Sequence, residues 1–187
     1  MKRKQQTLES LLAPSVGAVQ QPKRRERKLP APKAAPGFAL KVYRCQLVEE
    51  RTISVKRLTV ATPSQCAAVV WEYIDQPDCE VFVSLMLDRA NTLLGVSTVA
   101  IGDHDQVFVS ARQVYKPVLL LNADRVVVAH NHLNGDVRPS KADKQVTRML
   151  VKAGRALGIQ LCDHVIVGRT AAQSFSMLDA GLVPEEP

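Results

Sequence analysis

The sequence predicts an α/β protein, a mixed sheet flanked by helices, and three observations carry that prediction. Segments rich in strand formers, Glu80–Leu87 (EVFVSLML) and Leu93–Ile101, alternate along the chain with segments of helical apolar spacing. Arg125–Ala129 (RVVVA) is short and continuously apolar, as expected of a strand covered on both faces. The stretch after Ser140 places Val146, Met149, Leu150, Ala153 and Leu157 on one helical face, and Gly158 ends it in the usual C′ role.

The elements follow in order. Phe38–Leu47 alternates well enough to predict a first strand, and Val55–Val60 a second. Thr62 and Ser64 precede Gln65–Ile74, an apolar-periodic helix that Pro63 opens. Glu80–Leu87 and Leu93–Ile101 form a hairpin around Asp88-Arg89-Ala90-Asn91. Ser110 caps a helix over Ala111–Asn122. Strand Arg125–Ala129 leads into a loop, His130–Pro139, and then into the helix that Ser140 begins. Ile159–Val167 is another strand, and Phe175–Leu178 a short last one.

The chain has 187 residues, enough for one domain with a sizeable core and a tail. Its formal charge of +7 is unevenly placed. Residues 1–36 hold nine Lys/Arg against two Glu, whereas residues 37–187 hold sixteen of each sign. The excess therefore belongs to a basic, proline-containing tail, 1–36, with the run Lys23-Arg24-Arg25-Glu26-Arg27-Lys28. Dense like charge and proline oppose burial there, although a short amphipathic helix fits Leu8–Leu12. The folded domain is predicted at 37–187. The tail is either a solvated leader or a weak phosphate-binding contact for nucleic acid. No apolar run reaches the ~20 residues of a membrane span, and the N-terminus lacks a secretory core, so the expected location is cytoplasmic. Cys45, Cys66, Cys79 and Cys162 show no C-x-x-C spacing and read as buried thiols.

The chemistry concentrates in VVVAHNHLNGDVRPSKADKQV. His130 and His132 are two residues apart. If the strand continues through them, both rings face the same side. Asn134-Gly135-Asp136 turns the chain, and Asp143 lies in the first turn of the next helix, where the helix dipole favours a carboxylate. Two histidines and one carboxylate that leave a position open for water form the pattern of a catalytic zinc site. Taken alone, Ser140-x-x-Asp143 is equally a helix capping box, and a capped first turn would also fix Asp143 as a ligand.

His-Asn-His, then Asn-Gly-Asp, then Pro-Ser-x-x-Asp resembles the JAMM (MPN/JAB) metalloprotease motif, and more narrowly the RadC family. The resemblance extends to Leu121–Asp124, to Ala153–Leu161, to Asp163–Gly168 and to the hairpin residues Leu85–Asp88 and Ile101-Gly102, about residues 77–182 in all. It implies a cytidine-deaminase-like arrangement of sheet and helices. It also implies Zn2+ held by His130, His132 and Asp143, with Ser140 as a candidate to hydrogen-bond the zinc water or the developing oxyanion. Where the family carries Pro-Ser after the second histidine, this chain has Leu133-Asn134. Where RadC-like proteins read Pro-Arg-Glu-Val-Phe, this chain reads Ala111-Arg112-Gln113-Val114-Tyr115. JAMM peptidases use a Glu to accept the proton of the zinc-bound water. If that Glu corresponds to Gln113, only an amide that can orient water remains, and Gln113→Glu would raise the rate. Glu80, Asp88 and Asp163 are the other carboxylates that could substitute, each with a plainer role as a capping, turn or hydrogen-bonding residue. His164 reads as a satisfied core or edge histidine and His104 as a loop residue. The DNA-binding-like helical region of full-length RadC proteins has no counterpart in residues 1–36.

The expected function is zinc-dependent hydrolysis of a peptide or isopeptide bond. The alternative is a metal-binding interaction module of weak or no activity, linked to DNA repair or other DNA processes. Expected partners are a peptide or protein substrate and weak nucleic-acid contact through the tail, with no membrane.

Overall fold

The computed structural model describes residues 40–55, 59–75, 77–102 and 108–184. The chain divides into two units, 1–42 and 43–187. Of the first, only residues 40–42 are described; they are exposed and irregular. The tail, its basic run, the helix at Leu8–Leu12 and His104 lie outside the described residues.

The described residues form eight elements: α1 (Pro63–Ile74), β1 (Glu80–Leu87), β2 (Leu93–Gly102), α2 (Ala111–Leu121), β3 (Arg125–Asn131), α3 (Lys141–Leu157), β4 (Gln160–Val167) and β5 (Ser174–Ser176). Side-chain caps start the helices. Thr62, Ser110 and Ser140 accept from the backbone N–H three residues on, and Pro63 opens α1 without wasting a donor. Left-handed residues end them: Asp75, Asn122 and Gly158.

Over its described part, residues 40–47, the first expected strand, Phe38–Leu47, does not form. Residues 40–47 carry no regular structure and leave Leu40, Val42 and Tyr43 exposed. Alternation gives a strand a face to bury, but without a neighbour its backbone stays with water. Of the second, Val55–Val60, only Thr59 pairs, in an isolated bridge to Thr92; residues 56–58 lie outside the described residues. Among the cysteines only Cys66 is buried; Cys45 is exposed, and Cys79 and Cys162 are half-buried.

The sheet runs β2-β1-β3-β4-β5. β1 is antiparallel to β2 and β3, β3 is parallel to β4, and β4 is antiparallel to β5. The period-two alternation of each strand divides the core in two. Phe82, Met86, Val126 and Val128 pack with Val114, Tyr115 and Val118 of α2 and Leu150 and Val151 of α3. Val83, Leu85, Leu87, Val127, Ala129 and Val165 pack with Cys66, Val69 and Val70 of α1 on the other face. Because α3 connects two parallel strands, β3 and β4 finish at the same edge of the sheet, and α3 starts there. Carboxyl ends of parallel strands are where α/β sheets place their sites.

Gly154 sets how closely α3 approaches its neighbours. A Cβ there would lie 2.5 Å from the Ile159 carbonyl oxygen and 2.5 Å from the Tyr115 hydroxyl. That hydroxyl donates to the Leu150 carbonyl at 2.7 Å. Gly154→Ala is therefore expected to destabilise the fold by about 1–3 kcal/mol despite the better helix propensity of alanine. An unchanged melting temperature would contradict this close packing.

Candidate metal centre

β3 brings His130 to the face shared with α2 and α3. The ring is buried and stacks on Phe82, its partner across β1, with centroids 5.7 Å apart and planes 9° apart. The strand geometry persists one residue beyond β3, because the His132 N–H donates to the Val167 carbonyl at 2.8 Å. The two imidazoles therefore lie on one side, with their Nε2 atoms 2.9 Å apart. His132 Nδ1 contacts the backbone carbonyl of Asp136. A carbonyl only accepts, so Nδ1 of neutral His132 carries the proton and Nε2 presents a lone pair. Gly135, at φ +81°, makes the turn that allows this, its N–H reaching the His132 carbonyl at 3.0 Å. The Asp136 carboxylate itself is taken up by Arg138, which holds it down at about 2.

Asp143 reaches the same point from α3. Its Oδ2 accepts from Ser140 N at 2.7 Å, and Ser140 Oγ accepts from Asp143 N at 3.1 Å. This reciprocal capping box fixes the carboxylate. Its Oδ1 faces His130 Nε2 at 3.3 Å, and its Oδ2 lies 4.0 Å from His132 Nε2. Burial raises the Asp143 carboxyl, but the neighbouring His130 and the Ser140 hydrogen bonds outweigh it and hold the group below its ordinary value.

Behind these residues stands His164, fully buried on β4. Its Nε2 lies 2.9 Å from His130 Nδ1, and its Nδ1 lies 2.7 Å from Thr147 Oγ1. Thr147 Oγ1 also donates to the Asp143 carbonyl at 2.7 Å. His130, Asp143 and His164 thus form a group able to hold a metal ion, with one ligand atom from each inside 4.8 Å. A second arrangement uses the outward side of His130: its Nε2, His132 Nε2 and the Asp143 carboxylate. The two differ in access. His164 has no exposure, whereas the side chains of His132 and Asp143 are 15% and 14% exposed. A groove of about 670 Å³, lined by Trp71, Pro77, His132, Leu133 and Arg169, adjoins the outer arrangement. The outer set reaches solvent through His132 and Asp143, whereas His164 closes the inner one off from it. The donor chemistry fits a cation: with the His130 proton on Nδ1, two bare imidazole nitrogens and a carboxylate converge with no donor among them.

Burial pushes His130 down to about 4, against the upward pull of Asp143, and pushes His164 down likewise. Both folded-state values lie below the ordinary 6.5, so the unfolded chain takes up protons first as pH falls. Metal-stripped protein should keep its full stability above roughly 6.5 and lose it progressively below. Denaturation midpoints that do not change between pH 7 and pH 4.5 would contradict the neutral, buried pair.

The other sequence candidates sit as follows. Ser140 is exposed and serves as the cap of α3. Gln113 is the third residue of α2, and its Oε1 accepts from Ser110 N at 3.0 Å and from Ser110 Oγ at 2.8 Å. The amide oxygen expected to orient water is spent on the cap of α2, and Gln113 makes no described hydrogen bond to His130, His132 or Asp143. Asp88 accepts from Ala90 N and Thr92 N within the hairpin turn. Asp163 has the plainer hydrogen-bonding role. It accepts from His164 N, Leu178 N and Ser176 Oγ, which fastens the C-terminal segment to β4.

Glu80 is better placed than the sequence alone suggests. Asn131 Oδ1 accepts from Val81 N at 2.7 Å, and Asn131 Nδ2 donates to the Cys79 carbonyl at 3.0 Å. This clamp holds the start of β1 against the end of β3. Phe82 pairs with His130, so Glu80, two residues earlier, comes level with His132 and on the face that Phe82 shares with His130. Glu80 is half-buried there.

A five-stranded mixed sheet, two helices on the face that carries His130 and a His/Asp cluster at the strand–helix junction define a JAB-type domain. The family model of the RadC-like JAB domain matches residues 60–182, and this chain belongs to that family. It is 35% identical over 127 residues to a UPF0758 protein of Rubrobacter xylanophilus, covering 68% of this chain and 55% of that protein. It is 33% identical to a UPF0758 protein of Methanosarcina acetivorans, over 72% of this chain and 58% of the relative. A third, from Moorella thermoacetica, is 34% identical over 62% of this chain and 50% of its own length. The chain thus spans little more than half the length of these relatives. Among the described residues no helix is long and apolar enough to cross a membrane.

Proposed function

We propose that this domain is a zinc-dependent hydrolase of the JAMM type, cleaving a peptide or isopeptide bond. One observation carries the reading: two imidazole Nε2 atoms and a carboxylate converge, and one of the three residues, His132, also lines an open groove. His130, His132 and Asp143 would hold the ion. Zinc, when bound, supplies a Lewis acid for the carbonyl and makes water acidic enough to attack near neutral pH. The protein residues do the rest. Glu80, level with His132, is the carboxylate we assign to accept the proton of the attacking water and pass it to the leaving amine. Ser140, at the lip of the same turn, can turn its hydroxyl toward the carbonyl oxygen. Trp71, Pro77 and Leu133 give the groove an apolar floor, and Arg169 offers a cation to a carbonyl or carboxylate of the substrate.

This reading places the proton acceptor at Glu80 and not at the position that Gln113 occupies. Gln113→Glu is then expected to leave the rate unchanged, since glutamate also fills the third position of a capping box. Gln113→Ala should cost about 1 kcal/mol of stability through the lost cap and leave zinc content intact. A faster Gln113→Glu enzyme would return the base to that position.

The function is tested with internally quenched peptides and lysine-linked isopeptides. The zinc-loaded protein should cleave at least one of them, chelation should stop cleavage and added zinc should restore it. One bound zinc with no turnover on any of them would favour the interaction-module reading, in which the cluster has a structural role.

A further inference from the structure

We propose that His164 and Thr147 are positioning residues that select the tautomer of His130 and so aim its Nε2 lone pair at the metal. The proposal rests on the zinc-site reading above and deepens it.

Thr147 Oγ1 has one proton and sits 2.7 Å from the Asp143 carbonyl and 2.7 Å from His164 Nδ1. Donated to the carbonyl, that proton leaves the Thr147 oxygen to accept from His164 Nδ1–H. His164 Nε2 is then bare and accepts from His130 Nδ1–H at 2.9 Å. His130 Nε2 is bare in turn, and it faces His132 Nε2 at 2.9 Å and Asp143 Oδ1 at 3.3 Å. Each link fixes the next. The opposite direction would put a proton on His130 Nε2, where a cation must bind. The Asp143 carbonyl gives the Thr147 proton its place, so the residue that supplies a ligand oxygen also orients, through its backbone, the chain behind a second ligand.

The register explains how the links meet. Asp143 and Thr147 are four apart on α3, one above the other on a single face. His164 pairs with Val128 on β3, two residues before His130 on the same face. The Phe82 ring lies against both imidazoles, at 5.7 Å from His130 and 5.4 Å from His164, and limits their rotation. Outer-sphere partners of ligand histidines commonly set ring orientation in this way.

The test measures zinc affinity by competition with a chromophoric chelator, for wild type, His164→Leu, His164→Gln and Thr147→Val. His164→Leu removes the acceptor and should weaken zinc binding by about 10–100-fold. His164→Gln retains an acceptor oxygen and should recover most of the loss, and Thr147→Val should fall between. Imidazole nitrogen NMR of zinc-loaded wild type should show the proton of His130 on Nδ1. A folded His164→Leu protein with wild-type affinity would overturn the proposal, as would a proton missing from His130 Nδ1. Loss of a whole zinc equivalent that glutamine cannot restore would make His164 a direct ligand and equally overturn it. If His164→Leu fails to fold, Thr147→Val and the NMR measurement decide. Wild type that binds no zinc at all is a separate result: it removes the site reading itself.

Discussion

Glu80→Gln is expected to lower hydrolysis by about 10²–10⁴-fold while zinc content stays at the wild-type level. The substitution keeps shape and hydrogen-bonding reach but removes the ability to accept a proton. The expectation comes from position. Asn131 ties Val81 and Cys79 to the end of β3, and the pairing of Phe82 with His130 brings Glu80 level with His132. Asn131→Ala should therefore reproduce part of the defect without touching a ligand, because the start of β1 would be released. Glu80→Gln protein that turns over substrate at the wild-type rate would remove Glu80 from the chemistry.

His130→Ala should be the most damaging change in the molecule. The ring is buried, stacks on Phe82 and bonds His164 on one side while facing His132 and Asp143 on the other. Its removal leaves a cavity, an unpartnered buried His164 nitrogen and a carboxylate without its nearest counterpart. We expect loss of stoichiometric metal binding. We also expect about 3 kcal/mol of destabilisation, measured by denaturant in the presence of chelator so that metal linkage does not contribute. A variant that keeps both metal and stability would mean that His130 is neither a ligand nor a core residue.

Local signals are legible in this sequence and long-range ones are not. Ser140 and Asp143 announce the start of α3 because a capping box is a four-residue motif, and Gly158 announces its end. The pair His130 and His132 declares a shared side as soon as strand geometry is assumed. The segment 38–47 misleads for the opposite reason. Its alternation is local, but a strand also needs a neighbour, and none forms over the described part. The place of Glu80 depends on β1 pairing with β3 some fifty residues away, which no spacing in the sequence expresses. His164 is hidden by the same difficulty, compounded by a register shift between Val126 and Val127 where β3 meets β4. Thr147 could be found, since it lies one helical turn beyond Asp143. Gln113 shows that a position can fit a motif while its side chain serves the helix it begins.

Whether His130, His132 and Asp143 hold a metal decides the function. Elemental analysis of purified protein reconstituted with zinc at neutral pH, with His132→Ala and His164→Leu beside it, tests it most directly. The outer site of His130, His132 and Asp143 predicts close to one zinc per wild-type chain, clear loss in His132→Ala and retention in His164→Leu at saturating zinc. No zinc in wild type, or a full equivalent kept by His132→Ala, would contradict it.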